Sequence, residues 1–140
     1  VEHDSDAYVD AKFRCILYKI MELRAIRKHA TARLKEGKDV VFLGDYNENN
    51  SASAMDVLKG SQEEVLRFED LLKGYVGDAT THIHRGGKLI FDTILVSQGL
   101  VPVVCDVHVE NGDLTDCSQL PLEAEVVGSD HALVWVDISL

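Results

Sequence analysis

Apolar residues recur at helical spacing between residues 11 and 35. They are Phe13, Ile16, Leu17, Ile20, Leu23, Ile26, Ala30 and Leu34. A period of three to four residues predicts one long helix with an apolar face. Gly37 follows the last periodic residue and is typical of a helix stop.

A short apolar run, Val40-Val41-Phe42-Leu43, follows this helix. It predicts a strand that is covered on both faces, and it ends at Gly44, after which the chain becomes polar. Two further helices are expected, at residues 53–59 and at residues 61–72. The second is indicated by Ser61-Gln62-Glu63-Glu64, which has the pattern of a capping box.

The second half of the chain predicts strands. Residues 80–84 and 89–96 are expected to form a hairpin, with Arg85-Gly86-Gly87 as its turn. Further strands are expected at residues 101–109 and 132–138, separated by a loop at 113–127. Helices followed by several strands indicate a single α/β domain over residues 1–140, of the layered α+β kind.

The composition is that of a globular protein, with 140 residues, 46% of them hydrophobic and 27% charged. No apolar run approaches the ~20 residues that span a bilayer, so we expect no membrane span. The net charge of −10 argues against broad nonspecific binding to nucleic acid. Clustered carboxylates nevertheless attract a cation. Residues 11–35 also carry eight basic residues, which fall largely between the apolar positions of the helix. We expect this basic face to be solvated, with contact to a phosphate group as the alternative.

Polar side chains with chemical potential lie at the ends of apolar strands or within them. Asp45 and Asn47 follow the first strand and can project into one cleft, although an Asx-turn is the alternative. Asp92 lies inside an apolar run, where a carboxylate is costly to bury without a partner. Asp130 and His131 precede the last strand, and such a pair can combine a metal ligand with a proton-transfer group.

His82 and His84 lie two residues apart on a predicted strand, which places both imidazoles on one face. Such a pair can bind a metal, but no third ligand follows at a ligand-like spacing nearby. We therefore expect His82, His84 and the neighbouring Arg85 to line a substrate groove or to lie on the plain surface.

The motifs gain specificity when they are taken in order. A basic helix is followed by Val-Val-Phe-Leu-Gly-Asp-Tyr-Asn, then by Phe-Asp-Thr-Ile-Leu-Val-Ser, then by Ser-Asp-His-Ala-Leu-Val. Over residues 11–138 this order resembles the endonuclease/exonuclease/phosphatase superfamily, the DNase I-like proteins. The stretch 54–60 looks most like bacterial extracellular-nuclease-type members. The resemblance implies the C-terminal half of a four-layer α/β/β/α sandwich, in a domain that lacks its N-terminal half.

The resemblance also implies a role for each motif residue in a Mg²⁺- or Mn²⁺-dependent phosphoesterase. Asp45 would orient the attacking water and assist the metal, and Asn47 would hold the scissile phosphate. Asp92 would pair with His131 and fix its ring. Asp130 would help to hold the metal, and His131 would contact the phosphate or move a proton. The implied activity is nuclease-like hydrolysis of phosphodiester bonds in nucleic acid or in a small phosphoester.

Two other functions stay open at this point. One is a non-catalytic fragment or binding module that keeps the fold, and the other is a phosphatase for a small phosphorylated, inositol or lipid substrate. Thr93 departs from the superfamily pattern, where His or Tyr is common. The superfamily's metal-binding Glu would precede Val1, so we expect the site to need an N-terminal segment or self-association, most simply as a homodimer.

Overall fold

The structure is a computed structural model that describes residues 5–61, 63, 65–121 and 128–139. Across these ranges the chain is a mixed α/β structure of the α+β kind, with two helices and three small antiparallel sheets. The helices are α1 (Ser5–Lys35) and α2 (Ser53–Lys59). The strands are β1 (Val41–Asp45), β2 (Phe68–Asp70), β3 (His82–His84), β4 (Gly87–Leu89), β5 (Asp92–Ser97), β6 (Val104–Glu110) and β7 (Leu133–Ile138).

The central sheet has the strand order β1-β5-β2, and all its pairings are antiparallel. Its middle strand, β5, is the most buried, because Ile94, Leu95 and Val96 are each at most 1% exposed. The register of β1 against β5 pairs Asp45 directly with Asp92. Two carboxylates that are distant in sequence therefore meet at one end of the sheet.

The two helices cover one face of this sheet. Leu23 and Ala30 of α1 are buried in a core cluster with residues of α2, β2 and β5. The guanidinium of Arg27 adds a polar clamp, since it donates to the carbonyls of Leu58 and Leu66 at 2.7 Å each. It also lies 5.0 Å from the ring centre of Phe68, a cation–π contact that holds α1 against β2.

The other two sheets have two strands each. β6 and β7 pair with each other, and their valines pack on Ile94 and Val96 of β5. β3 and β4 form a hairpin, which is joined to the segment before β7 by a bridge between His82 and His131. This bridge brings Asp130 and His131 to the end of the central sheet that carries Asp92.

Several predicted boundaries differ from the structure. The predicted helix at 61–72 is wrong, because its described residues form turns and β2, while Gln62 and Glu64 lie outside the described ranges. In β2 the alternate residues Phe68 and Asp70 are buried, a two-residue period that pairing with β5 imposes.

The predicted strand 89–96 is two elements. The hairpin partner of β3 ends at Leu89, and β5 begins at Asp92. Of the other elements, α1 begins at Ser5 and the strand predicted from residue 101 begins at Val104, after a 3₁₀ turn. Of the predicted loop 113–127, residues 122–127 lie outside the described ranges.

The β1 edge of the central sheet is apolar and open. Leu43 on β1 is 61% exposed, and Leu133 on β7, which lines the same shallow cleft, is 65% exposed. The expectation that β1 is covered on both faces is therefore wrong for the described chain. The apolar pattern of residues 40–43 also predicts a sheet face that is either exposed or covered by another chain, and this stays a prediction, because Ile94 and Val96 on that face are buried. No helix in the described ranges is long and apolar enough to cross a bilayer.

Candidate active site

The centre of the site is His131, which lies between two aspartates. Its Nδ1 is 2.8 Å from Oδ2 of Asp92. A carboxylate only accepts, so Nδ1–H donates and the lone pair of the neutral ring lies on Nε2. That Nε2 is 4.0 Å from Oδ2 of Asp45. The predicted hydrogen bond between Asp92 and His131 is confirmed, and so is the approach of Asp45.

The electrostatic environment of His131 favours its charged form. Partial burial by itself would lower the pKa of the ring. The hydrogen bond to Asp92 and the negative charges of Asp92, Asp45 and Asp130 outweigh it, so the pKa of His131 is raised above its ordinary value. The surrounding carboxylates thus stabilise the charged form of the imidazole.

Asp130 and His82 complete the described cluster. The Nδ1 of His82 is 3.2 Å from the carbonyl oxygen of Asp130 and 3.9 Å from its carboxylate. The ring centres of His82 and His131 are 4.7 Å apart. The structure therefore places Asp130 and His82 beside His131, and His82 is a half-buried member of the cluster.

Thr81 ties the three segments of the site together, and sequence reasoning missed it. Its side chain is fully buried, and its Oγ1 accepts from the backbone N–H groups of Phe91 at 2.9 Å and Asp92 at 3.1 Å. Its carbonyl accepts from the N–H of Ala132 at 2.8 Å. One residue thus fixes the backbone next to His82, Asp92 and His131. A threonine just before a strand carries no local signal for such a role.

Asn47 lies on the loop that leaves β1. Its φ of 49° is left-handed, and its N–H donates to Oδ1 of Asp45 at 2.6 Å. This is the Asx-turn that the sequence left as an alternative. The turn occupies Oδ1 of Asp45 and leaves Oδ2 towards His131. Asn47 itself is exposed beside the site.

His84 and Arg85 lie at the tip of the β3–β4 hairpin, and both are exposed. The tip is held through the backbone. The N–H of Arg85 donates to Oγ of Ser118 at 2.8 Å, and the N–H of Gly86 donates to Oδ2 of Asp116 at 2.6 Å. The ring of His84 is centred 6.3 Å from that of His82, which links the tip to the cluster. Their predicted contacts with a substrate stay predictions.

The cluster offers donors for a cation. Asp45 and Asp130 both act on His131 electrostatically. Carboxylates are the donors that Mg²⁺ prefers, commonly one or two of them together with several waters. His82, Asp130 and His131 also offer one ligand atom each, all within 4.8 Å of one another.

No protein-family model, curated protein or solved structure matches this chain. The functional interpretation therefore depends on the geometry of this site and on the motifs that form it.

Proposed function

We propose that this chain carries the Asp-His part of a divalent-cation-dependent phosphoesterase that hydrolyses phosphodiester bonds, as nucleases of the endonuclease/exonuclease/phosphatase superfamily do. The observation that supports this best is His131 lying between Asp92 at 2.8 Å and Asp45 at 4.0 Å. One carboxylate orients the ring, and the opposite ring nitrogen faces a second carboxylate across the cleft.

The proposed chemistry divides between the two sides of His131. Asp92 keeps Nδ1–H in place, so the other nitrogen, Nε2, acts on the substrate. The neighbouring carboxylates raise the pKa of His131, and the charged ring donates a hydrogen bond to a phosphoryl oxygen or a proton to the leaving oxygen. Oδ2 of Asp45 orients the attacking water, and Asn47 contacts the phosphate from the adjoining loop.

A Mg²⁺ or Mn²⁺ ion held by Asp130, with help from Asp45, would supply positive charge to the phosphoryl oxygens. The chain's own residues do the remaining work. Asp92 positions the imidazole, His131 provides the proton, and Thr81 keeps their backbones aligned.

The proposal extends to the fold and to a partner surface. The helices, the central sheet and the β6–β7 sheet would form half of a four-layer sandwich. The exposure of Leu43 and Leu133 beside the β1 edge supports further covering there. That covering would come from an N-terminal segment or from a second copy of the chain in a dimer.

The test is hydrolysis of bis(p-nitrophenyl) phosphate, p-nitrophenyl phosphate and supercoiled DNA, with Mg²⁺, with Mn²⁺ and with chelator. Both this chain and the complete product of its gene are assayed. We expect the diesters to be cleaved only with the cation, and His131→Asn and Asp45→Asn to lose about 100-fold or more in rate. His108→Asn, at a half-buried imidazole on β6, is the matched control and should keep full activity.

Two results would contradict the proposal. One is a complete gene product that cleaves no phosphoester with either cation. The other is full diester activity in His131→Asn. A strong preference for the monoester would instead favour the phosphatase alternative.

A further inference from the structure

We propose that His82, Asp130 and His131 form a binding site for a borderline first-row transition-metal ion, such as Zn²⁺ or Co²⁺. One ligand atom from each residue lies within 4.8 Å of the others. The inference goes beyond the proposed function, because it names a different ion and makes both imidazoles ligands. It does not require the chain to hydrolyse any phosphoester.

The hydrogen bonds leave both histidines in the tautomer that binds a metal through Nε2. Nδ1 of His131 faces a carboxylate oxygen of Asp92 at 2.8 Å. Nδ1 of His82 faces the carbonyl oxygen of Asp130 at 3.2 Å. Neither oxygen carries a hydrogen, so each Nδ1 must be the donor, and each neutral ring keeps its lone pair on Nε2. Metal-binding histidines are commonly oriented in this way.

The donor types select the class of ion. Imidazole nitrogen suits Zn²⁺, Co²⁺ and related ions, whereas Mg²⁺ prefers oxygen. Two imidazoles and one carboxylate, with water in the open position, are a common set for such ions. Ligand atoms about 2.1 Å from a tetrahedral ion lie about 3.4 Å apart, so atoms that lie within 4.8 Å of one another would approach by up to about 1.4 Å.

The three side chains are accessible enough to make this movement. Their exposed fractions are 12% for His82, 44% for Asp130 and 23% for His131. The β-bridge between His82 and His131 keeps the two backbones adjacent while the side chains rotate. An ion bound here would occupy the ring nitrogen that the proposed hydrolysis uses, so metal and phosphate would compete for His131.

The test measures Zn²⁺ and Mg²⁺ binding to the chain by calorimetry, and Co²⁺ binding by its visible absorption. We expect Zn²⁺ to bind more tightly than Mg²⁺, and Co²⁺ to show bands of nitrogen ligation. Asparagine keeps a donor near the position of Nδ1 and removes Nε2. His82→Asn and His131→Asn should therefore each weaken Zn²⁺ binding about tenfold or more. His108→Asn is the control and should bind Zn²⁺ like the unaltered chain.

Unchanged Zn²⁺ affinity in His82→Asn or in His131→Asn would overturn the proposal. So would loss of binding in His84→Asn with full binding in His131→Asn, because the ligands would then be the strand pair His82 and His84. The phosphoesterase assay fails or succeeds independently of these results. Zn²⁺ binding without hydrolysis would contradict the proposed function alone, and hydrolysis without Zn²⁺ binding would contradict this metal site alone.

Discussion

Replacing Thr81 with valine should destabilise the chain, because it removes one buried oxygen that serves two backbone donors. Valine keeps the shape of the side chain and loses Oγ1, the acceptor for Phe91 and Asp92. A buried donor left without a partner costs about 1–3 kcal/mol. Phe91 and Asp92 are half-buried, so water offsets part of the loss. We therefore expect a total of about 2–3 kcal/mol, from a stability of about 5–15 kcal/mol.

Urea denaturation followed by circular dichroism measures this effect. With a slope near 2 kcal/mol per molar urea, the midpoint should fall by about 1 M while the slope stays the same. The matched control is Thr93→Val on β5. Thr93 is 1% exposed, like Thr81 it is fully buried, and its Oγ1 has no hydrogen-bond partner within the described chain. Removing that hydroxyl should leave the midpoint unchanged or raise it.

Equal midpoint shifts in the two valine variants would refute the reasoning, because burial and volume would then explain both. An unchanged midpoint in Thr81→Val would show that the two N–H groups find other partners.

Two further predictions concern charged pairs. Asp92→Asn should lower the pKa of His131, read from its ring protons by NMR. The raised pKa stabilises the fold below about pH 6.5, and this contribution is lost as the pH rises through the folded-state pKa. The loss of unfolding free energy in the variant should therefore be largest in mild acid. A loss that grows towards alkaline pH would contradict this. Asp70→Asn should lower the free energy of unfolding by about 3 kcal/mol, because it removes the counter-charge of Lys59. The Lys59 ammonium is 2.8 Å from the Asp70 carboxylate, and its side chain is only 17% exposed. Lys88→Ala, in an exposed pair, is the control, and equal denaturation midpoints for the two variants would count against the argument.

Elements with a local signal could be predicted from the sequence. The period of α1 and the turn at Arg85 and Gly86 are set by neighbouring residues, and both occur in the structure. β2 could not be predicted, because its conformation comes from pairing with β5 across a long sequence separation. The capping pattern at Ser61 favoured a helix locally, but the pairing of β2 with β5 decides the conformation of Phe68–Asp70.

The site divides in the same way. Asp92 and His131 each stand in a recognisable motif, so their hydrogen bond could be predicted from the sequence. His82 joins the site through a bridge between two distant segments. The role of Thr81 depends on contacts among three segments. Residues whose importance comes from such long-range hydrogen bonds carry no mark in the local sequence.

The long helix α1 has unequal support along its length. Residues 5–18 are all exposed, whereas Leu23, Arg27 and Ala30 are held by the core. A helical segment that is exposed throughout is marginal in water, so the first turns can open while the rest of the molecule stays folded. Amide hydrogens there would exchange early, and those beyond Leu23 only when the core itself opens. A protease that cuts at the exposed Lys12 or Arg14 would therefore shorten the helix without unfolding the domain.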